Sequence, residues 1–76
     1  MTHFVPDHER ISADIRAQIR DGRLAPGEQL PTRHELADRY NVSPGTIDRA
    51  LLTLKVEGYV RGHQGRGNFV TDNPPK

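Results

Sequence analysis

Residues 32–58 decide the fold, and they read TRHELADRYNVSPGTIDRALLTLKVEG. Thr32 and Glu35 form a capping-box pattern, in which the hydroxyl and the carboxylate each bond the other residue's backbone amide at a helix start. The helix should end at Tyr40, because Asn41 tolerates the left-handed backbone that a sharp turn requires. The spacing therefore predicts a short helix followed at once by a tight turn.

A longer helix should begin directly after this turn. Ser43 is a favoured N-cap, and Pro44 suits the first helical position, where no backbone hydrogen bond is lost. Gly58 is expected to end the helix. Its predicted apolar face consists of Ile47, Leu51 and Leu54, with Ala50 and Val56 beside them.

A helix, a three-residue turn and a second helix are typical of motifs that place the second helix in the major groove of DNA. The small residue that a close helix crossing needs is Ala37, and the turn residue is Asn41. The side chains expected to hold the two helices together are those of Leu36, Tyr40, Val42, Ile47 and Ala50.

An amphipathic helix should precede the motif, from Asp7 to about Asp21. Its apolar residues recur every fourth position, at Ile11, Ile15 and Ile19, which gives one stripe facing the core. Gly22 is a natural left-handed stop and Pro26-Gly27 a strong turn signal. Glu28-Gln29-Leu30 then form a candidate short edge strand.

The segment after Gly58 predicts a hairpin with a glycine-rich tip. Strands are expected over 59–61 and 68–71, around the turn GHQGRG at residues 62–67. The predicted architecture is mainly α with a small β-hairpin, a winged helix-turn-helix. It forms one domain over residues 1–76, with its core at 7–71 and flexible ends at 1–6 and 72–76.

Composition excludes several classes of protein. The chain has no cysteine, and its four histidines lack ligand spacing, so we expect no metal, no cofactor and no enzymatic site. No run of apolar residues approaches the length of a membrane span, and the first residues lack a signal-peptide pattern, so the expected location is the cytoplasm, at the nucleoid.

The charges are unevenly distributed along the chain. Residues 1–38 carry five basic and seven acidic groups, and residues 39–76 carry six basic and three acidic groups. The second half is therefore the positive one.

The motifs together resemble the DNA-binding domain of GntR-type transcription regulators over about residues 7–71. The matching segments are LPTRHELA at 30–37, NVS at 41–43, TIDRAL at 46–51, EGYV at 57–60 and GRGNFV at 65–70. The resemblance implies a sequence-specific regulator with the third helix in the major groove and the wing in the minor groove. The residues that it implies for DNA contact are Arg33, Ser43, Thr46, Arg49, His63, Gln64, Gly65 and Arg66.

The chain departs from the family's usual pattern at charged positions. Pro44, followed by Gly45, stands where the family usually has an arginine, and Asp48 stands where it usually has a basic residue. Arg33-His34 stand where the family usually has an acidic residue followed by a basic one. Loss of an arginine and gain of a carboxylate should weaken phosphate attraction, although a carboxylate can accept from cytosine.

No small-molecule effector site is evident, whereas family members usually carry an effector and dimerisation domain. The expected partners are therefore double-stranded DNA and either a second copy of the chain or a separate protein.

Two other functions stay open from the sequence. A winged-helix module that binds protein would explain Asp48 and Pro44. A non-specific accessory DNA binder is the other alternative. Most arginines are ordinary solvated side chains, which is the plain interpretation of Arg49 and Arg66. Ser43 is an N-cap in any case, and Gly65 serves the turn in any case.

Overall fold

The computed structural model describes residues 7–75. Its elements are α1 (Asp7–Arg20), α2 (Arg33–Tyr40), α3 (Pro44–Glu57), β1 (Val60–His63) and β2 (Gly67–Val70). The predicted three helices and hairpin are confirmed. Both strands are displaced from their predicted bounds, by one or two residues at their ends. The expected flexible end at 1–6 lies outside the described residues.

The isoleucine stripe of α1 lies in the core, as its spacing predicted. Ile11, Ile15 and Ile19 are all buried, and α1 packs along α3. The helix ends at Arg20, and Gly22 follows with φ of 88°. This positive φ confirms the left-handed stop, which a residue with a Cβ would adopt only with strain.

Both halves of the predicted capping box are present at the start of α2. The Glu35 amide donates to Thr32 Oγ1 at 3.1 Å, and the Thr32 amide donates to Glu35 Oε1 at 2.8 Å. The hydrogen bond from the Thr32 amide lowers the pKa of Glu35. At the other end Asn41 has φ 57° and ψ 50°, so the left-handed turn is also confirmed.

The start and end of α3 follow the sequence signals, but its predicted apolar face contains one error. Ser43 caps the helix, with its Oγ accepting from the Thr46 amide, and Gly58 ends it with φ of 90°. Ile47, Ala50, Leu51 and Leu54 are buried, whereas Val56 is 81% exposed. The assignment of Val56 to the apolar face is therefore wrong. Val56 follows Leu54 by two residues, which corresponds to a rotation of about 200° around the helix axis. Its side chain therefore lies on nearly the opposite side of α3.

The hairpin is antiparallel, with Val60 opposite Val70 and His63 opposite Gly67. The candidate edge strand at 28–30 joins β2 through a single bridge, between Gln29 and Phe69. Two backbone hydrogen bonds flank that bridge: Leu30 N to Asn68 O at 2.8 Å and Val70 N to Glu28 O at 2.9 Å. The segment before α2 is thereby fixed to the wing.

Two polar contacts hold α1 to the rest of the domain. Arg16 donates to Glu57 Oε1 from Nη2 at 2.7 Å and from Nε at 2.9 Å, which joins α1 to the end of α3. The Tyr40 hydroxyl donates to Asp14, which joins α2 to α1. None of the helices in residues 7–75 has the length and apolar character of a membrane span.

Stability should depend on the buried stripe and not on Val56. We predict that Ile15→Ala lowers the free energy of unfolding by about 2–5 kcal/mol, because it leaves a cavity in the core. Val56→Ala should change it by no more than about 0.5 kcal/mol, because that side chain is exposed. Urea denaturation followed by circular dichroism measures both, and equal losses would contradict the assignment of the core.

The α1–α2 contact should give stability that disappears in strong alkali. Burial and the hydrogen bond to Asp14 raise the pKa of Tyr40 from 10.0 to about 12. Because the folded state retains this proton, the stabilisation is full below pH 10 and is lost as the pH rises through about 12. Wild type and Tyr40→Phe should therefore differ most in unfolding free energy below pH 10 and converge near pH 12. A difference independent of pH would contradict this.

Candidate nucleic-acid interface

The exposed side of α3 is set by the burial of its opposite side. Gly45, Asp48, Arg49 and Leu52 are all exposed, and their spacing of three and four residues puts them on one helix face. We call these four residues the α3 face. The side chain of Arg49, a predicted DNA contact, is therefore open to solvent.

Ser43 and Thr46 lie together at the N-terminus of α3. The Ser43 Oγ and the Thr46 Oγ1 are 3.2 Å apart, close enough for a hydrogen bond. Ser43 is exposed and Thr46 half-buried. The two hydroxyls stand at a helix end whose free amides and dipole favour an anion such as a phosphate.

Arg33 and Asp48 form a bidentate ion pair between α2 and α3. The Nε of Arg33 is 2.8 Å from Asp48 Oδ1, and its Nη2 is 2.5 Å from Asp48 Oδ2. The hydrogen bond from Arg33 lowers the pKa of Asp48, and the same contact raises that of Arg33. Arg33, predicted as a DNA contact, is thus engaged by a carboxylate of the α3 face.

The wing turn presents the other four predicted residues. His63, Gln64, Gly65 and Arg66 are all exposed, and the Arg66 amide donates to the His63 carbonyl at 2.9 Å. Gly65 has φ of 79°, so the tightness of this turn depends on glycine. The His63 ring meets the Phe69 ring edge-on at 6.2 Å between centroids.

Gln29 fixes the wing to the segment before α2. Its Nε2 donates to the Arg66 carbonyl at 2.6 Å. Gly67 leaves room for this contact, since a Cβ there would lie 3.2 Å from the same nitrogen. A groove of 220 Å³ runs beside the contact, with Arg33 and Arg66 among its lining residues.

Lys55 brings a further positive charge to the wing. A Cβ at Gly62 would lie 3.3 Å from the Lys55 Nζ, so the ammonium group stands directly beside β1. Gln29 and Lys55 were both missed in the sequence analysis. Lys55 follows Asp48 by seven residues, a spacing that places it on nearly the same side of α3 and could have revealed it.

The structure thus groups the predicted residues in three places. Ser43, Thr46 and Arg49 lie on α3, the four wing residues lie in the turn, and Arg33 links α2 to α3 through Asp48. Among the ion pairs formed within residues 7–75, none involves Arg49 or Arg66. In the same range no three acidic or histidine side chains cluster as metal ligands.

Helix, left-handed turn, helix and glycine-tipped hairpin in this arrangement define a winged helix-turn-helix DNA-binding domain. Residues 7–70 match the model of the gntR family of bacterial regulatory proteins. The chain belongs to this family.

Relatives in the family are transcription regulators. The chain is 35% identical to the arabinose metabolism transcriptional repressor of Geobacillus stearothermophilus, covering 95% of this chain and 20% of that protein. It is also 35% identical to the Exu regulon transcriptional regulator of Escherichia coli K12, covering 91% of this chain and 27% of that one. The chain thus spans about a quarter or less of these relatives.

Solved structures agree with this assignment. The DNA-binding domain of AraR in complex with operator ORR3 superposes with a TM-score of 0.88 at 30% identity, over 93% of this chain and 86% of that one. YtrA of Sulfolobus acidocaldarius, a GntR-family transcription factor, gives a TM-score of 0.86 at 31% identity, over 93% and 74% of the two chains.

Loss of the Gln29 contact should loosen the wing and leave the helices intact. We predict that Gln29→Ala lowers the protection of the amides of 63–67 against hydrogen exchange and costs at most about 1 kcal/mol of global stability, because the bond is exposed. Gln18→Ala is the control, since that amide bonds Asp14 within α1. Wing protection equal in the two variants would contradict the role of Gln29.

Proposed function

We propose that the chain binds duplex DNA in a sequence-specific manner, with α3 in the major groove and the wing in the adjacent minor groove. The observation that carries this is the placement of Arg49 and Arg66. Both are exposed and outside the ion pairs of the described residues, and they occupy the α3 face and the wing turn of a domain that superposes on an operator-bound one.

Each predicted residue has a role that suits its chemistry. Arg49 offers a planar fork to guanine in the major groove. Ser43 and Thr46 offer hydroxyls to a phosphate, strengthened by the N-terminus of α3.

In the wing, Arg66 suits a narrow, electronegative minor groove. Gly65 lets the backbone approach the DNA closely, and His63 and Gln64 supply polar side chains beside it. Arg33 contributes from the start of α2, in its pair with Asp48.

Tight operator binding requires more contacts than one small module supplies. Two copies on adjacent half-sites, or a second protein, would provide them. In this account the chain acts as the DNA-reading part of a transcription regulator at the nucleoid, and it catalyses no reaction.

Selection from a random duplex pool tests the proposal. Wild type should enrich one short motif, and Arg49→Ala should weaken binding to it by about 5-fold to 150-fold, the equivalent of ~1–3 kcal/mol for one bidentate base contact. Arg66→Ala should reduce the preference at the flanking positions read by the wing. Arg20→Ala is the matched control, because it removes an exposed arginine from α1 that is also outside the ion pairs of the described residues.

A palindromic motif would show that two copies bind together. Retention of DNA without any motif, lost as salt rises, would replace sequence reading with non-specific accessory binding.

A protein-binding module is the second candidate, and one observation favours it. Leu52 and Val56 are 61% and 81% exposed and lie four residues apart on α3, which makes an apolar strip on the helix surface. No retention of duplex DNA even at low salt would reject DNA binding and leave this candidate.

A further inference from the structure

The Arg33–Asp48 pair has a position that sets it apart from the other ion pairs of the described residues. The remaining three join residues within or beside α1, or join α1 to the end of α3. Among the ion pairs of residues 7–75, only Arg33–Asp48 lies on the surface formed by the α3 face and the wing turn, which is the surface proposed to bind DNA. Both side chains are about half exposed, 44% and 51%, and an exposed pair of this kind adds little to folding stability.

The geometry of the pair determines what Arg33 can offer to DNA. Its Nε and Nη2 both donate to Asp48, so one of the two bidentate edges of the guanidinium is filled and its charge is balanced by the carboxylate. A phosphate contact through that edge would require Arg33 to leave the carboxylate, and a contact through the remaining edge would be made by a pair with no net charge. The pair therefore contributes no net positive charge to phosphate binding, whereas Arg49 and Arg66 lie outside the ion pairs of residues 7–75.

We propose that Asp48 is a positioning residue that limits sequence-independent DNA binding by holding Arg33 and balancing its charge. Phosphate contacts strengthen binding to every sequence alike, whereas base contacts distinguish sequences. Withholding one phosphate contact therefore lowers affinity for duplex DNA of any sequence. The inference rests on the proposed function, since it concerns the same surface.

A double-mutant cycle tests this, with wild type, Asp48→Asn, Arg33→Ala and the double variant. Affinity for a duplex of random sequence is measured by fluorescence anisotropy over a range of salt concentrations. Asp48→Asn should release Arg33, raise affinity about 5- to 10-fold near 0.1 M salt and steepen the slope of log K against log salt by about 0.9, the value of one added phosphate contact.

The same substitution in the Arg33→Ala background should leave the slope unchanged, because no arginine is there to be released. Glu9→Gln is the control for the loss of one negative charge, because Glu9 is exposed in the first turn of α1 and lies outside the interface. Circular dichroism shows whether each variant is folded.

Three results would overturn the inference. An unchanged affinity and slope in Asp48→Asn would show that the pair withholds nothing. An equal effect with and without Arg33 would show that Asp48 acts only through its own charge. Absence of any wild-type binding at low salt would reject the proposed function itself, which separates that failure from the other two.

Discussion

Ile11 and Ile15 of α1 meet Ile47 and Leu54 of α3 in one buried cluster, and all four side chains are almost completely excluded from solvent. Burial of these side chains is the main favourable contribution available to so small a domain. It also fixes the rotation of α3 about its own axis. Because one side of α3 must face α1, the opposite side, with Asp48 and Arg49, is held toward solvent.

The wing is oriented by contacts at both of its ends. At its base the Thr71 hydroxyl donates to the Gly58 carbonyl at 2.8 Å, next to the end of α3. At its tip Gln29 holds the Arg66 carbonyl. The hairpin is therefore attached both to α3 and to the segment that leads into α2, so the core that fixes α3 also fixes the wing relative to it.

Local signals in the sequence predicted most of the fold, because capping and turn chemistry depends on residues a few positions apart. Thr32 with Glu35, Asn41, Ser43 and Gly58 all mark boundaries that the structure confirms. Val56 was misassigned because its apolar character was weighed without its angle around the helix. The site was harder to predict. Arg33 and Asp48 are fifteen residues apart and were interpreted as two separate departures, whereas the structure joins them in one ion pair.

We expect α3 and the wing turn to contact duplex DNA together, while α1 faces away from it. Amide chemical-shift changes, followed by NMR as a duplex carrying the selected motif is added, test this most directly. The largest changes are expected at residues 43–49 and 63–66, with little change at Ile11, Ile15 and Ile19. Changes confined to the strip at Leu52 and Val56, or spread over α1 with the wing unaffected, would contradict it.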